Sequence, residues 1–487
     1  MPDNRLPLLP LLLDGVPPGL EQMLAQEGVP FRHRAEDPLA GRFVLFDSRR
    51  GPVRPAAGGQ RVIDTASLRA GERTDPFDAM LDEHSARHQW QIAGLTVCEE
   101  IARVDRRAVR QRVLGRLREL VEQGGGVWLR LCAFPFPYRS ALSFRIDYDE
   151  FDLADFNATH EAISGMEHAT SHFVNAAAYL PHSNVLGRFK GLEIGSHGFR
   201  HHTYRTKQEN LENIRRGIES LEAFGLEPAG FAAPHGRYNR GLGEAMEALG
   251  ITHSSEFALA YDDLPFWPDR SKVLQVPIHP VSLGIFLEAV QGEGARRNSA
   301  TQQAVRAAVD HFRQTARAKY HAGEPVFFYG HPTRRLGRYP QLLRAVFDTA
   351  GAFGAIWPTT LGRFAHWWRV RSRVRLSVSS DHGRYVVAVH HLPKDYRLAV
   401  EYWRGRHVAR IPLEGRRLRF SPAALAYENR QPRCGVHPVR IDRPEGIGGR
   451  FRRMIDWEHV TPIEEISKGD WRNWTKRILR SCLEIRH

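Results

Sequence analysis

The chain has 487 residues, 42% of them hydrophobic and 10% aromatic, with a formal net charge of +14. The composition is globular and the length calls for two or three domains. The charge comes mostly from arginines spread along the chain, which reads as a solvated basic surface; no clustered basic face with aromatic stacking is evident, so no nucleic-acid partner is expected.

The N-terminal apolar stretch is short, holds Pro7 and Pro10, and lacks a small-residue cleavage site. It does not read as a signal peptide, and no segment reaches the ~18 apolar residues of a spanning helix. Cys98, Cys132, Cys434 and Cys482 form no Cys-x-x-Cys pair and no disulfide framework, which favours a reducing compartment. A cytoplasmic protein, peripheral to a membrane at most, is the expectation.

Residues 1–136 read as an N-terminal α/β accessory region. A helix is predicted over 20–26, a strand over 42–47, and an amphipathic helix over 106–123 that stops at Gly124-Gly125-Gly126. Residues 137–370 alternate strands and helices. Strands are predicted over 141–147, 169–174, 192–197, 230–233, 273–278 and 326–329, with helices over 207–224, 241–249, 300–319 and 340–350. Such repetition argues for a parallel sheet closed into a barrel. Residues 371–455 change to short alternating strands, a β-sandwich-like accessory module. The tail, 456–487, reads as basic and amphipathic, with Trp471, Trp474, Ile478 and Cys482 on one helical face.

The chemistry concentrates at a few strand ends. His197 and His201 sit at the end of a predicted strand, and a helical turn beginning there would put both imidazoles on one side. His168 and His172 have the same spacing, but His172 falls inside a strand, where residues four apart lie ~13 Å apart. That pair cannot share a metal. Asp147 and Asp149 share one face of an extended strand, so one can bind a metal while the other takes a proton from water.

With these motifs, residues 140–335 resemble the polysaccharide deacetylase family, the NodB-homology group of carbohydrate esterases. The Asp-x-Asp pair is similar to the family's first motif. Glu193-Ile-Gly-Ser-His197-Gly-Phe-Arg-His201 is similar to its second, with Gly198 where the family has Ser or Thr. The third reads Ala232-Ala-Pro-His235-Gly236 and lacks the family arginine that tethers the catalytic aspartate; Arg145 or Arg237 could replace it. Asp263-Leu-Pro-Phe-Trp267 stands for the fourth, and Phe327-Phe-Tyr-Gly-His331 for the fifth.

The resemblance implies a distorted parallel (β/α) barrel with its site at the strand C-terminal ends. It implies a divalent metal on Asp149, His197 and His201, zinc first, with cobalt, nickel or manganese as alternatives. Asp147 is the implied base, His331 the implied acid, and the His235 N–H the implied oxyanion donor. Trp267, Tyr148, Phe199 and Tyr238 are candidates for stacking on a sugar. The implied reaction removes an acetyl or formyl group from an acylated amino sugar or polysaccharide. The rival expectation is a non-catalytic carbohydrate-binding protein on the same barrel.

Overall fold

The computed structural model describes residues 6–52, 56, 58–92, 94–268, 271–288, 294–432, 437–441 and scattered positions beyond. It is a mixed α/β protein. The Ser140–Tyr148 strand is buried at all nine positions, as expected of a parallel strand covered on both faces. It lies inside a five-stranded parallel sheet with Thr170–Val174, Glu193–Ser196, Val326–Gly330 and Ile356–Pro358.

From Glu193–Ser196 the hydrogen bonding continues through single bridges. Phe231 touches both Ser196 and Ser254, and His253–Ser254 pairs with Leu274–Gln275. His279 N–H then donates to the Phe327 carbonyl, returning to the central sheet. The predicted strand over 230–233 is thus reduced to a bridge at Phe231. The expected single closed barrel sheet takes the form of a five-strand sheet and a two-strand sheet joined by bridges. The sequence marks the helix starts well. Thr206 and Glu209 form a reciprocal capping box at the Lys207–Glu222 helix, and Asp105, Asn239 and Thr360 cap three others.

The N-terminal residues contribute a four-stranded sheet and the Ser85–Ile92/Leu95–Ala102 hairpin. The C-terminal strands form two antiparallel sheets, one of which takes in Trp128–Leu131 from the N-terminal side. No described helix is long and apolar enough to cross a membrane. In the tail, Trp471, Trp474 and Ile478 are helical and exposed; Cys482 and the tail arginines lie outside the described residues, as does Cys434.

Register positions the site. Tyr148 pairs with Val174, and Val174 with Ser196. The residues that follow, Asp149 and His197, therefore emerge side by side at the C-terminal edge. On the other flank Gly330 pairs with Ile146, which brings His331 to the same edge.

Candidate metal centre

Three side chains converge at that edge. Asp149 Oδ1 lies 3.1 Å from His197 Nε2 and 3.3 Å from His201 Nε2. The ligand atoms of Asp149, His197 and His201 all fall within 4.8 Å of one another. Tetrahedral ligands at roughly 2.1 Å from a metal stand roughly 3.4 Å apart, so the donor set fits a divalent ion. His197 Nδ1 is 2.7 Å from the Ala232 carbonyl. Donation there leaves the Nε2 lone pair toward the cluster, the usual way an outer partner orients a ligating imidazole.

His201 arrives without the helical turn expected from its spacing. Residues 197–202 form a bent loop instead. Asn213 of the following helix braces it, accepting from Arg200 N–H at 2.7 Å and donating to the Arg200 and His202 carbonyls. Gly198 sits at φ 82°. A Cβ there would meet Asn213 Nδ2 at 2.7 Å and the Arg200 oxygen at 2.8 Å. This backbone explains glycine at a position where Ser or Thr was expected.

Asp147 is buried, and its Oδ2 lies 2.8 Å from Arg145 Nη2. Arg145 also donates to the Ser255 carbonyl. Asp147 Oδ1 is buried with no hydrogen-bond partner among the described residues. Burial would raise the Asp149 carboxyl, but the His331, His201 and His197 imidazoles outweigh it and hold the group well below the usual carboxylate range.

His331 Nε2 is 3.4 Å from Asp149 Oδ2. Its Nδ1 is 2.5 Å from Arg335 Nη1, a residue the sequence reading missed. A guanidinium only donates, so Nδ1 accepts and the ring proton sits on Nε2, facing the cluster. Arg335 reaches His331 through the irregular turn over Pro332–Leu336, where Arg334 has φ 61°.

The remaining candidates divide. His235 has φ 58°, and its ring lies 4.7 Å from that of His201, so it belongs to the same edge. Arg237 is half-buried on the loop that follows; the arginine bonded to Asp147 is Arg145.

Trp267 is placed elsewhere. Arg369 lies over its ring at 5.8 Å and bonds the Thr252 and Lys272 carbonyls. Those carbonyls precede the His253–Ser254 and Leu274–Gln275 strands, at the end of the sheet opposite the Asp149 cluster. Its neighbour Asp263 pairs with Arg110. Tyr148 is fully buried among Phe156, Tyr179 and Phe189. Phe199 is buried under Arg216, 3.6 Å from its ring. Tyr238 packs against two apolar clusters. All three are packing aromatics. His172 lies in its strand and meets Tyr148 Oη at 2.9 Å, while His168 sits in a separate 3-10 turn.

Residues 168–254 match the family model described as polysaccharide deacetylase. The match includes His197, His201 and His235 but not Asp147, Asp149 or His331. No curated protein sequence matches the chain.

Among solved structures, the chain is similar to a candidate polysaccharide deacetylase of Mycobacterium smegmatis, at 18% identity over 51% of this chain and 96% of that one, TM-score 0.42. It is similar to PuuE allantoinase at 20% identity over 48% and 92%, TM-score 0.37. A family 4 acetyl xylan esterase of Clostridium thermocellum, in complex with cobalt, follows at 12% identity over 47% and 91%, TM-score 0.30.

Proposed function

Since the chain carries a divergent polysaccharide deacetylase segment, we propose that it is a metal-dependent hydrolase removing an acetyl or formyl group from an acylated amino sugar or polysaccharide. The observation that carries this reading is the convergence of Asp149, His197 and His201 beside an Asp147 already held by Arg145. The bridged parallel circuit around the central sheet supports reading the fold as a distorted barrel with this site at its C-terminal rim. We keep residues 1–136 and 371–455 as accessory modules.

Asp149, His197 and His201 would hold the ion, zinc first, with cobalt, nickel or manganese as alternatives. When bound, a divalent metal acidifies water and polarises the acyl oxygen. Asp147 Oδ1 takes the proton of the attacking water, while Arg145 fixes the other carboxylate oxygen. The His235 N–H stabilises charge on the acyl oxygen. His331 offers its Nε2–H as a hydrogen bond to the departing amine or alcohol, Arg335 keeping that nitrogen forward, and the proton that Asp147 took from water passes on to the leaving group.

A purely carbohydrate-binding protein would need neither Asp147 with its tether nor His331 with its own. Acetate release from a panel of N- and O-acetylated sugars tests the reading, with N-acetylated substrates expected to respond. Release from none of them by metal-loaded protein would favour the binding-protein alternative.

We also propose cytoplasmic placement with peripheral membrane contact through the tail, supported by exposed Trp471, Trp474 and Ile478 and the net charge of +14. Vesicle binding that survives deletion of residues 456–487 contradicts the membrane part.

A further inference from the structure

The Arg106–Gln123 helix places Arg107, Arg110, Leu114 and Arg118 at spacings of three and four, on one face. That face borders a cavity of about 410 Å³. The opposite wall comes from two antiparallel strands in direct register, Trp128 against Trp403 and Arg130 against Glu401. Glu324 and Pro325 close one side, immediately before the Val326–Gly330 strand. His331 follows the other end of that strand, so the cavity and the Asp149 cluster lie at opposite ends of the sheet.

Seven arginines and five carboxylates line the cavity, a surplus of two positive charges. The carboxylates are committed to neighbours. Glu27 holds Arg110 at 2.8 Å, Glu324 holds Arg107 at 3.0 Å, and Glu401 holds Arg130 at 2.8 Å and Arg430 at 2.6 Å. Asp263 takes Arg110, and Asp262 takes Lys319. Arg118 and Arg406 have no carboxylate within ion-pair distance among the described residues; Arg118 instead lies 5.5 Å from the Trp403 ring.

A second observation is independent of charge. Four lining residues carry a buried polar atom with no hydrogen-bond partner among the described residues: the donors Arg118 Nε and Arg430 Nε, and the acceptors Gln26 Oε1 and Asp263 Oδ2. Buried polar groups are ordinarily satisfied. Unmet donors ask for an anion or carbonyl, and unmet acceptors ask for hydroxyls. Trp128 is buried, and half-buried Trp403, with the guanidinium groups of Arg118, Arg130 and Arg430 lying 5.5, 4.6 and 5.5 Å from its ring, supplies the aromatic surface open to a sugar ring.

We propose that this cavity is a second, non-catalytic binding site for a sugar bearing an anionic group, a carboxylate or a phosphate. Guanidinium groups match both anions. The anion would lie toward Arg118 and Arg406, the ring against Trp403, and hydroxyls toward Gln26 and Asp263. This inference stands apart from the deacetylase reading, since it uses none of its residues.

The test is calorimetric titration of the full chain with glucuronate, glucose 1-phosphate, glucose and inorganic phosphate. Glucuronate or glucose 1-phosphate should bind at least about tenfold more tightly than glucose and than inorganic phosphate. Whichever of the two binds identifies the anion. Arg118→Gln should weaken that binding about tenfold, and the exposed Arg406→Gln, which leaves the interior intact, should weaken it in the same direction. Asp149→Ala should leave it unchanged. Binding of neither anionic sugar overturns the proposal. So does equal binding of inorganic phosphate, or affinity unmoved by both arginine changes.

Discussion

Arg145 and Asp147, two residues apart on one face of the Ser140–Tyr148 strand, meet at 2.8 Å with both side chains buried. The third motif has alanine at 232 where the family has the arginine that tethers this aspartate. The tether comes from the aspartate's own strand instead, because side chains at i and i+2 share a face. Position 232 still serves the site through its backbone, whose carbonyl orients His197. Arg145→Met should lower kcat about 100-fold with metal content retained, and Arg145→Lys should recover part of the loss. Steady-state kinetics with metal analysis checks this.

Arg335 should matter through His331. Arg335→Met is expected to lower kcat about tenfold with little change in KM. Added guanidinium should restore part of the rate, which a purely structural defect would not allow. The comparison is of kcat with and without guanidinium in the same variant.

Gly198 yields a prediction against family expectation. Gly198→Ser restores a residue type that the family uses there, yet at φ 82° with Asn213 and the Arg200 oxygen in the way it should destabilise the protein by about 1–3 kcal/mol. It should also loosen His201. Thermal unfolding and metal stoichiometry should both fall relative to the starting protein.

Glu256 is fully buried, and burial pushes its carboxyl up from 4.5 to about 7 against the hydrogen bond from Ser254. The folded state therefore favours the protonated form. Its contribution to stability is full below pH 4.5 and is lost as pH rises through about 7. Glu256→Gln should match the starting protein at pH 4 and exceed it at pH 8 by up to roughly 3 kcal/mol. Urea unfolding across this range gives the difference directly.

Much of this was legible in the sequence. The Val326–Gly330 strand read correctly because it is a continuous apolar run, and Ser140–Tyr148 because Leu142, Phe144, Ile146 and Tyr148 alternate with Ser143, Arg145 and Asp147. Of the two histidine pairs, His197 and His201 converge on Asp149, while His172 stays inside its strand and His168 in the 3-10 turn before it. The Gly230–Ala233 segment shrank to a bridge because Pro234 follows at once and the His253 ring packs against Gly230.

Trp267 was read into the site because motif spacing does not tell which end of a sheet a loop occupies. Tyr148 could have been set aside earlier: alternation puts it opposite Asp147 and Asp149. Arg335 was not readable, since only the positive φ of Arg334 turns the loop back onto His331. The anionic-sugar cavity was equally hidden, because even one of its walls joins residues some 270 apart in sequence, as in the Arg130–Glu401 pair.

The central claim is the division of work between two aspartates two residues apart, and one paired measurement tests it. Bound metal and acetate release are determined for the starting protein, Asp149→Ala and Asp147→Asn. The account predicts that Asp149→Ala loses both metal and activity, while Asp147→Asn keeps its metal and loses turnover by about 100-fold or more. Acetate release that survives both substitutions, or metal retained without Asp149, would contradict it.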